Sequence, residues 1–225
     1  MQLLSTLAVM GAMKNLAAAY RARTGVEVEP EFAPTVALLE RIRVGATGDA
    51  AILTAQGIDD LIAEGKMLPG SRVDVALSFV GIAAKAGAPK PDISSVEAFK
   101  ATILAARCVA YSKIGASGIY FAGLLDRLGL ADRAKTLVVP SGFTAERLVS
   151  GEADLAVQQI SELLVVPGIE VVGPLPGEIQ TAAMFSGGVL RGSPDAEIAR
   201  GFLRFLAGPE AAPVLAASGL KPAGR

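Results

Sequence analysis

Short apolar runs recur along this chain, and each leads into a segment whose apolar residues fall at helical spacing. Ala50-Ala51-Ile52-Leu53, Cys108-Val109-Ala110-Tyr111, Leu137-Val138-Val139 and Ala153-Asp154-Leu155-Ala156-Val157 are such runs. A strand that is apolar at successive positions is covered on both faces, the condition of a mainly parallel sheet flanked by helices. Between the runs, Val9, Met13, Leu16 and Tyr20 stand at i, i+4, i+7 and i+11, one face of a helix that ends near Arg21–Gly25. Val36, Leu39 and Ile42 mark the inner face of a second helix, with Glu40, Arg41 and Arg43 outward. Strand–helix alternation of this kind specifies an α/β protein.

The remaining elements follow the same rules. Leu3-Leu4 reads as a first strand that turns at Ser5-Thr6, and Val26–Phe32 alternates as a half-exposed strand. Val73 to Ala84 is a long apolar run, bounded by Gly87, Pro89 and Pro91, and predicts a strand that crosses from one lobe to another. Ile179 to Leu190 predicts a second crossing strand, and Gly173–Gly177 before it a rigid turn. Ser94-Ser95-Val96-Glu97 has the form of a capping box for a helix over 98–106. Ser193-Pro194 predicts an N-cap with proline in the first turn, and Gly208-Pro209-Glu210 the start of a last helix.

Composition excludes several kinds of function. Among 225 residues there are 21 Lys and Arg against 22 Asp and Glu, so no basic footprint exists for nucleic acid or an anionic membrane. Histidine is absent, which removes the Ser-His-Asp triad and most zinc sites; neither metal nor cofactor is expected. The single cysteine, Cys108, sits in an apolar run and reads as a buried structural residue. No stretch reaches transmembrane length, so membrane insertion is not expected. Met1-Gln2 runs straight into the first strand, which fits a cytoplasmic protein or an exported one whose signal was trimmed.

Candidate chemistry gathers at strand ends. Gly115-Ala116-Ser117-Gly118-Ile119-Tyr120 follows the Cys108 run and opens the segment Phe121–Leu130, placing backbone N–H groups and a helix N-terminus at one point. Four further clusters lie at comparable turns: Ser5/Thr6, Pro34/Thr35, Gln158/Gln159 and Gln180/Thr181. In open α/β sheets, ligands bind outside the carboxyl ends of strands. Five polar, mostly neutral clusters there predict a cleft that holds a small oxyanion or carboxylate by hydrogen bonds; taken singly, each also reads as ordinary helix capping. Asp49, Asp154 and Glu178 read as caps or solvated loop charges, and Tyr111 and Tyr120 as packing residues flanking the central turn.

The segments Leu3–Met13, Ala19–Val28, Phe32-Ala33-Pro34-Thr35, Gly45–Leu53, Ala116–Tyr120 and Phe205–Ala212 resemble, in order, the molybdate-type (ModA-like) extracellular solute-binding proteins. These are type II periplasmic binding proteins. The resemblance implies two α/β lobes joined by two hinge-strand crossovers around an interlobe ligand cleft. Lobe I would take 1–80 plus 186–225, and lobe II 81–185. It also implies which residues hold the ligand. The family's first serine falls on Ala8, leaving Ser5 or Thr6 as substitutes. Its second falls on Thr35, beside Pro34, which has no N–H. Ser117 and Gly118 match the central turn, the late strand end falls near Val157-Gln158, and a tyrosine position carries Gln180 or Thr181. Fewer hydroxyls disfavour a desolvated dianion, so an organic carboxylate is at least as well matched as molybdate.

The leading expectation is a non-catalytic binding protein that closes over a small anion and, if exported, delivers it to an ABC transporter permease. The alternatives are an isomerase or lyase of small carboxylic acids on the same fold, or a ligand sensor like the effector domains of LysR-type regulators. No helix-turn-helix segment accompanies the last.

Overall fold

The computed structural model describes residues 1–224. In chain order the elements are β1 (Gln2–Ser5), α1 (Met10–Thr24), β2 (Glu29–Phe32), α2 (Thr35–Arg43), β3 (Ala50–Thr54), α3 (Ala55–Ala63) and β4 (Val73–Lys85). Then come α4 (Val96–Ala105), β5 (Val109–Ser112), α5 (Ala116–Arg127), β6 (Thr136–Val139), α6 (Glu146–Val149), β7 (Leu155–Gln159), α7 (Ile160–Leu163) and β8 (Ile169–Pro174). The chain closes with β9 (Ala182–Val189), α8 (Ala196–Leu206), α9 (Ala212–Ala217) and β10 (Lys221–Pro222). Two compact units result: Met1–Ser78 with Ala183–Arg225, and Phe79–Ala182.

In the first unit β2, β1 and β3 run parallel, and β9 is antiparallel to β3. Alternate residues of each strand face opposite layers. Leu3 and Ile52 point to one side with Leu16 and Tyr20 of α1 and Phe202, Leu203 and Leu206 of α8. Leu4, Ala51 and Leu53 point to the other with Leu38 and Ile42 of α2 and Ile58 and Leu61 of α3. Both faces of the strands are dry, which is why the runs are apolar at every position.

The second unit repeats the plan. β7, β5 and β6 are parallel, and the second half of β4 pairs antiparallel with both β7 and β8. Val80, Ile82, Leu155 and Val157 pack with Phe99, Ile103, Phe121, Leu124 and Leu125 of α4 and α5. On the opposite face Ala83, Ala110 and Ala156 meet Leu148 and Leu163.

Several boundaries differ from the sequence reading. Each sheet is mixed rather than mainly parallel, because β4 and β9 enter from long connections and pair antiparallel. Over Val26–Phe32 only Glu29–Phe32 pairs as a strand. α5 starts at Ala116, so Ser117 and Gly118 lie inside its first turn. Ile179 belongs to a 3-10 turn, Gly177–Ile179, and the strand begins only at Ala182. α4 is capped by Ser95, whose side chain accepts from the Ala98 N–H, so Ser94 does not head a capping box. α8 starts at Ala196 with Asp195 at its N-cap; the Ser193 hydroxyl donates to Asp49 at 2.8 Å and accepts from the Asp195 N–H at 3.2 Å, ahead of the helix. Gly208-Pro209-Glu210 precedes α9 without being part of it. No helix among the described residues is long and apolar enough to cross a membrane.

Candidate functional site

Hydroxyl residues stand at several strand-to-helix turns, and the structure separates those that cap from those that do not. Thr54 and Ser95 cap in the ordinary way: each side-chain oxygen accepts from an N–H in the first turn of α3 or α4. Thr6, Thr35 and Ser117 do not.

In the first unit, β1 delivers Thr6 to the start of a 3-10 turn, Leu7–Val9, that continues into α1. Thr6 makes no capping bond to that turn. Its Oγ1 lies 3.1 Å from Thr35 Oγ1, the first residue of α2, and both threonines are buried. Pro34, ahead of α2, offers no side-chain cap either. Neither helical start has an acidic residue in its first turn. Two helix N-termini, with their partial positive charge and open N–H groups, therefore flank one hydroxyl pair. Ser5 does not join them: its hydroxyl is buried and turned back onto the Thr6 carbonyl at 3.2 Å. Ala8, in the same turn, is fully buried and carries no donor on its side chain.

In the second unit, the turn after β5 is held by Ser112, whose Oγ accepts from the Gly115 N–H at 3.0 Å. Gly118 lets α5 seat directly on the end of β5, since a Cβ there would sit 1.7 Å from the Ser112 carbonyl oxygen. Ser117 is thereby released from both tasks, and its Oγ is buried without a hydrogen-bond partner. The first turn of α5 has no acidic residue.

The two glutamines at the end of β7 part company. Gln158 is committed to the fold: its Oε1 accepts from the Thr144 N–H at 2.8 Å and the Thr144 hydroxyl at 2.9 Å, and its Nε2 donates to the Gly142 carbonyl at 3.3 Å. Gln159 Oε1 is buried and has no partner. The sequence reading favoured Gln158; strand alternation, with Leu155 and Val157 on the α5 side, was the signal that points to Gln159. Gln180 is also committed. Its amide brackets Val80, accepting from that N–H at 3.2 Å and donating to that carbonyl at 2.8 Å, and Oε1 also accepts from the Thr181 N–H. Tyr120 ties the same loop to α5 by donating to the Ile179 carbonyl at 2.7 Å. Thr181 is half-buried, with its N–H held by Gln180.

Beside Gln158 lies a residue the sequence reading passed over. Glu162 is the third residue of α7 and reaches back to the Gln159 N–H, half of a capping box, while the Gln158 side chain bonds it too. Burial pushes its carboxyl up to about 7, against those two hydrogen bonds that pull it down. Asp49 and Asp154 are structural, accepting from the Gln2 and Arg107 backbone N–H groups respectively. Cys108 is only partly buried, and desolvation raises its thiol above the ordinary value. Among the described residues no cluster of three His, Cys, Asp or Glu is arranged to hold a metal.

The comparisons fit this geometry. The model of the bacterial extracellular solute-binding proteins matches residues 2–221. Aconitate isomerase of a Pseudomonas species is 37% identical over 97% of this chain and 86% of its own length. The molybdate-binding protein ModA of Escherichia coli strain K12 is 26% identical over 90% of this chain and 81% of its own. The periplasmic molybdate-binding protein of Azotobacter vinelandii shares the fold, with a TM-score of 0.81 at 20% identity over 98% of each chain. The mixed α/β architecture is that of the type II periplasmic binding proteins, and the chain belongs to the bacterial extracellular solute-binding protein family.

Proposed function

We propose that this member of the family binds a small organic di- or tricarboxylate rather than a bare tetrahedral oxyanion. One observation carries the reading: Thr6, Thr35 and Ser117 stand at helix N-termini free of acidic residues, yet none of the three caps its helix. Such N-termini favour an anion. Ala8 and Pro34 lower the number of donors available to a compact dianion, which must replace its whole hydration shell with hydrogen bonds. A carboxylate spreads its charge over fewer oxygens per group and needs fewer donors at one point. The higher identity to an aconitate isomerase than to a molybdate-binding protein supports the same ligand class. Delivery to a membrane permease belongs to this reading.

The isomerase similarity also favours a second reading, turnover of an unsaturated tricarboxylate. Without histidine, the proton transfers of such a reaction fall to Asp, Glu, Lys, Tyr or Cys.

A thermal-shift screen of the purified chain tests both. The panel is molybdate, tungstate, sulfate, phosphate, cis- and trans-aconitate, citrate, tricarballylate, malate and succinate. At a hundred times Kd a ligand stabilises by about 2.7 kcal/mol, which raises the Tm of a chain this size by roughly 5–10 °C. A rise with carboxylates and none with molybdate is expected; a rise with molybdate or tungstate alone overturns the proposal. Proton NMR of cis-aconitate with the protein then distinguishes the two readings, since appearance of the trans isomer establishes turnover.

A further inference from the structure

Two buried side-chain polar atoms among the described residues lack a hydrogen-bond partner, Ser117 Oγ and Gln159 Oε1. Both belong to the second unit, and the residues are 1% and 2% exposed. An unpaired buried polar atom costs about 1–3 kcal/mol, so a native structure keeps one where something outside the chain pairs it. That two such atoms exist is informative; that they share a layer is more so.

Alternation along β7 puts Gln159 on the face of Leu155 and Val157. These two pack in one cluster with Phe121, Leu124 and Leu125 of α5, the helix whose second residue is Ser117. Gln158 faces the other layer, where its neighbour Ala156 packs with Leu148 and Leu163. Ser117 and Gln159 thus lie on the same side of the sheet, both at the carboxyl ends of parallel strands.

Their chemistry differs. A serine hydroxyl donates or accepts, whereas an amide oxygen only accepts. An ionised carboxylate or a tetrahedral dianion offers acceptors alone. It satisfies Ser117 and the first-turn N–H groups of α5, but with the Gln159 amide oriented as it stands it leaves Oε1 unpaired and repels it. A group with a hydrogen-bond donor beside a carboxylate answers both residues at once, and an alcohol on the carbon bearing the carboxylate has that arrangement. We propose that Gln159 is a specificity-determining residue that accepts a hydrogen bond from a ligand hydroxyl, so that the site selects hydroxycarboxylates over their deoxy analogues. This rests on the carboxylate reading above.

Titration calorimetry with matched acids tests it on the full chain. Citrate against tricarballylate and malate against succinate share a carbon skeleton and differ by one hydroxyl. The hydroxylated member of a pair should bind about tenfold tighter or better, the usual effect of answering a buried polar group that the analogue leaves unpaired. Gln159→Leu should compress the ratio to about threefold or less, by losing affinity for the hydroxyacid and not for its analogue. Gln159→Met, unbranched and close in length, replaces it if the leucine variant does not fold. Equal affinities within each pair, or an undiminished preference in the variant, overturn the role of Gln159 while the carboxylate reading stands. Failure of all four acids to bind overturns the role of Gln159, and with no binding of cis- or trans-aconitate either it overturns the carboxylate reading too.

Discussion

The polar residues at the strand ends of the two units are alike in kind and opposite in state. In the first unit Thr6 and Thr35 satisfy each other, hydroxyl to hydroxyl. In the second, Ser117 Oγ and Gln159 Oε1 have no hydrogen-bond partner among the described residues. On the reading proposed above, mutual pairing would hold the first set in place before a ligand arrives, which is preorganisation at little cost to stability. The second set gives up stability, and on the same reading a partner of the right chemistry would return that free energy on binding. Gln158, one residue away, shows what the alternative looks like: an amide absorbed by Thr144, Gly142 and Glu162.

The contrast can be broken most severely at Gly118. Gly118→Val should abolish folding of the second unit, because the new Cβ would run into the Ser112 backbone, which cannot move aside as a side chain could; circular dichroism and soluble yield read it. Gly123→Ala, on the same helix with no close neighbour but the Arg127 side chain, should instead raise stability by about 0.5–1 kcal/mol.

A smaller effect is expected at Glu162. Its folded carboxyl titrates at about 7 against an ordinary value of 4.5. Below pH 4.5 both states hold the proton and nothing is lost; between about 4.5 and 7 the folded state keeps a proton that the unfolded chain releases. Stability from this group therefore falls as pH rises through that window, by about 3 kcal/mol in all, and is level above it. Glu162→Gln should remove that slope in urea titrations at pH 4, 6 and 8; an unchanged slope would assign it to other groups.

The two glutamines sharpen the comparison further. Gln158→Leu strands a buried N–H and hydroxyl of Thr144 and should cost about 1–3 kcal/mol, whereas Gln159→Leu should leave stability unchanged or slightly raised. Denaturant midpoints of both variants measure the difference, and equal losses would show that Gln159 is structural after all. Ser117→Ala should change stability by about 1 kcal/mol or less, and Thr35→Val, which strands the buried Thr6 hydroxyl, should cost about 1–3 kcal/mol; both should weaken carboxylate binding more than tenfold.

Much of this was readable from sequence because the signals were local. Apolar runs at successive positions located β1, β3, β5 and β7, and the Gly115–Gly118 turn marked the start of a helix whose packing needs a glycine. What could not be read depended on partners far along the chain. Ser193 sits ahead of α8, tied to Asp49, 144 residues earlier, while Asp195 takes the N-cap position. Gln180 looks like a ligand amide until Val80, 100 residues away, is seen to occupy both of its ends. The choice between Gln158 and Gln159 turned on one step of strand alternation, and the raised carboxyl of Glu162 on burial that no spacing announces.

The most direct measurement is a crystal structure of the protein grown with citrate. A ligand carboxylate within about 2.6–3.2 Å of Ser117 Oγ, with its hydroxyl as near Gln159 Oε1, is the predicted result. Citrate bound elsewhere, with ordered water on both atoms, would contradict the account.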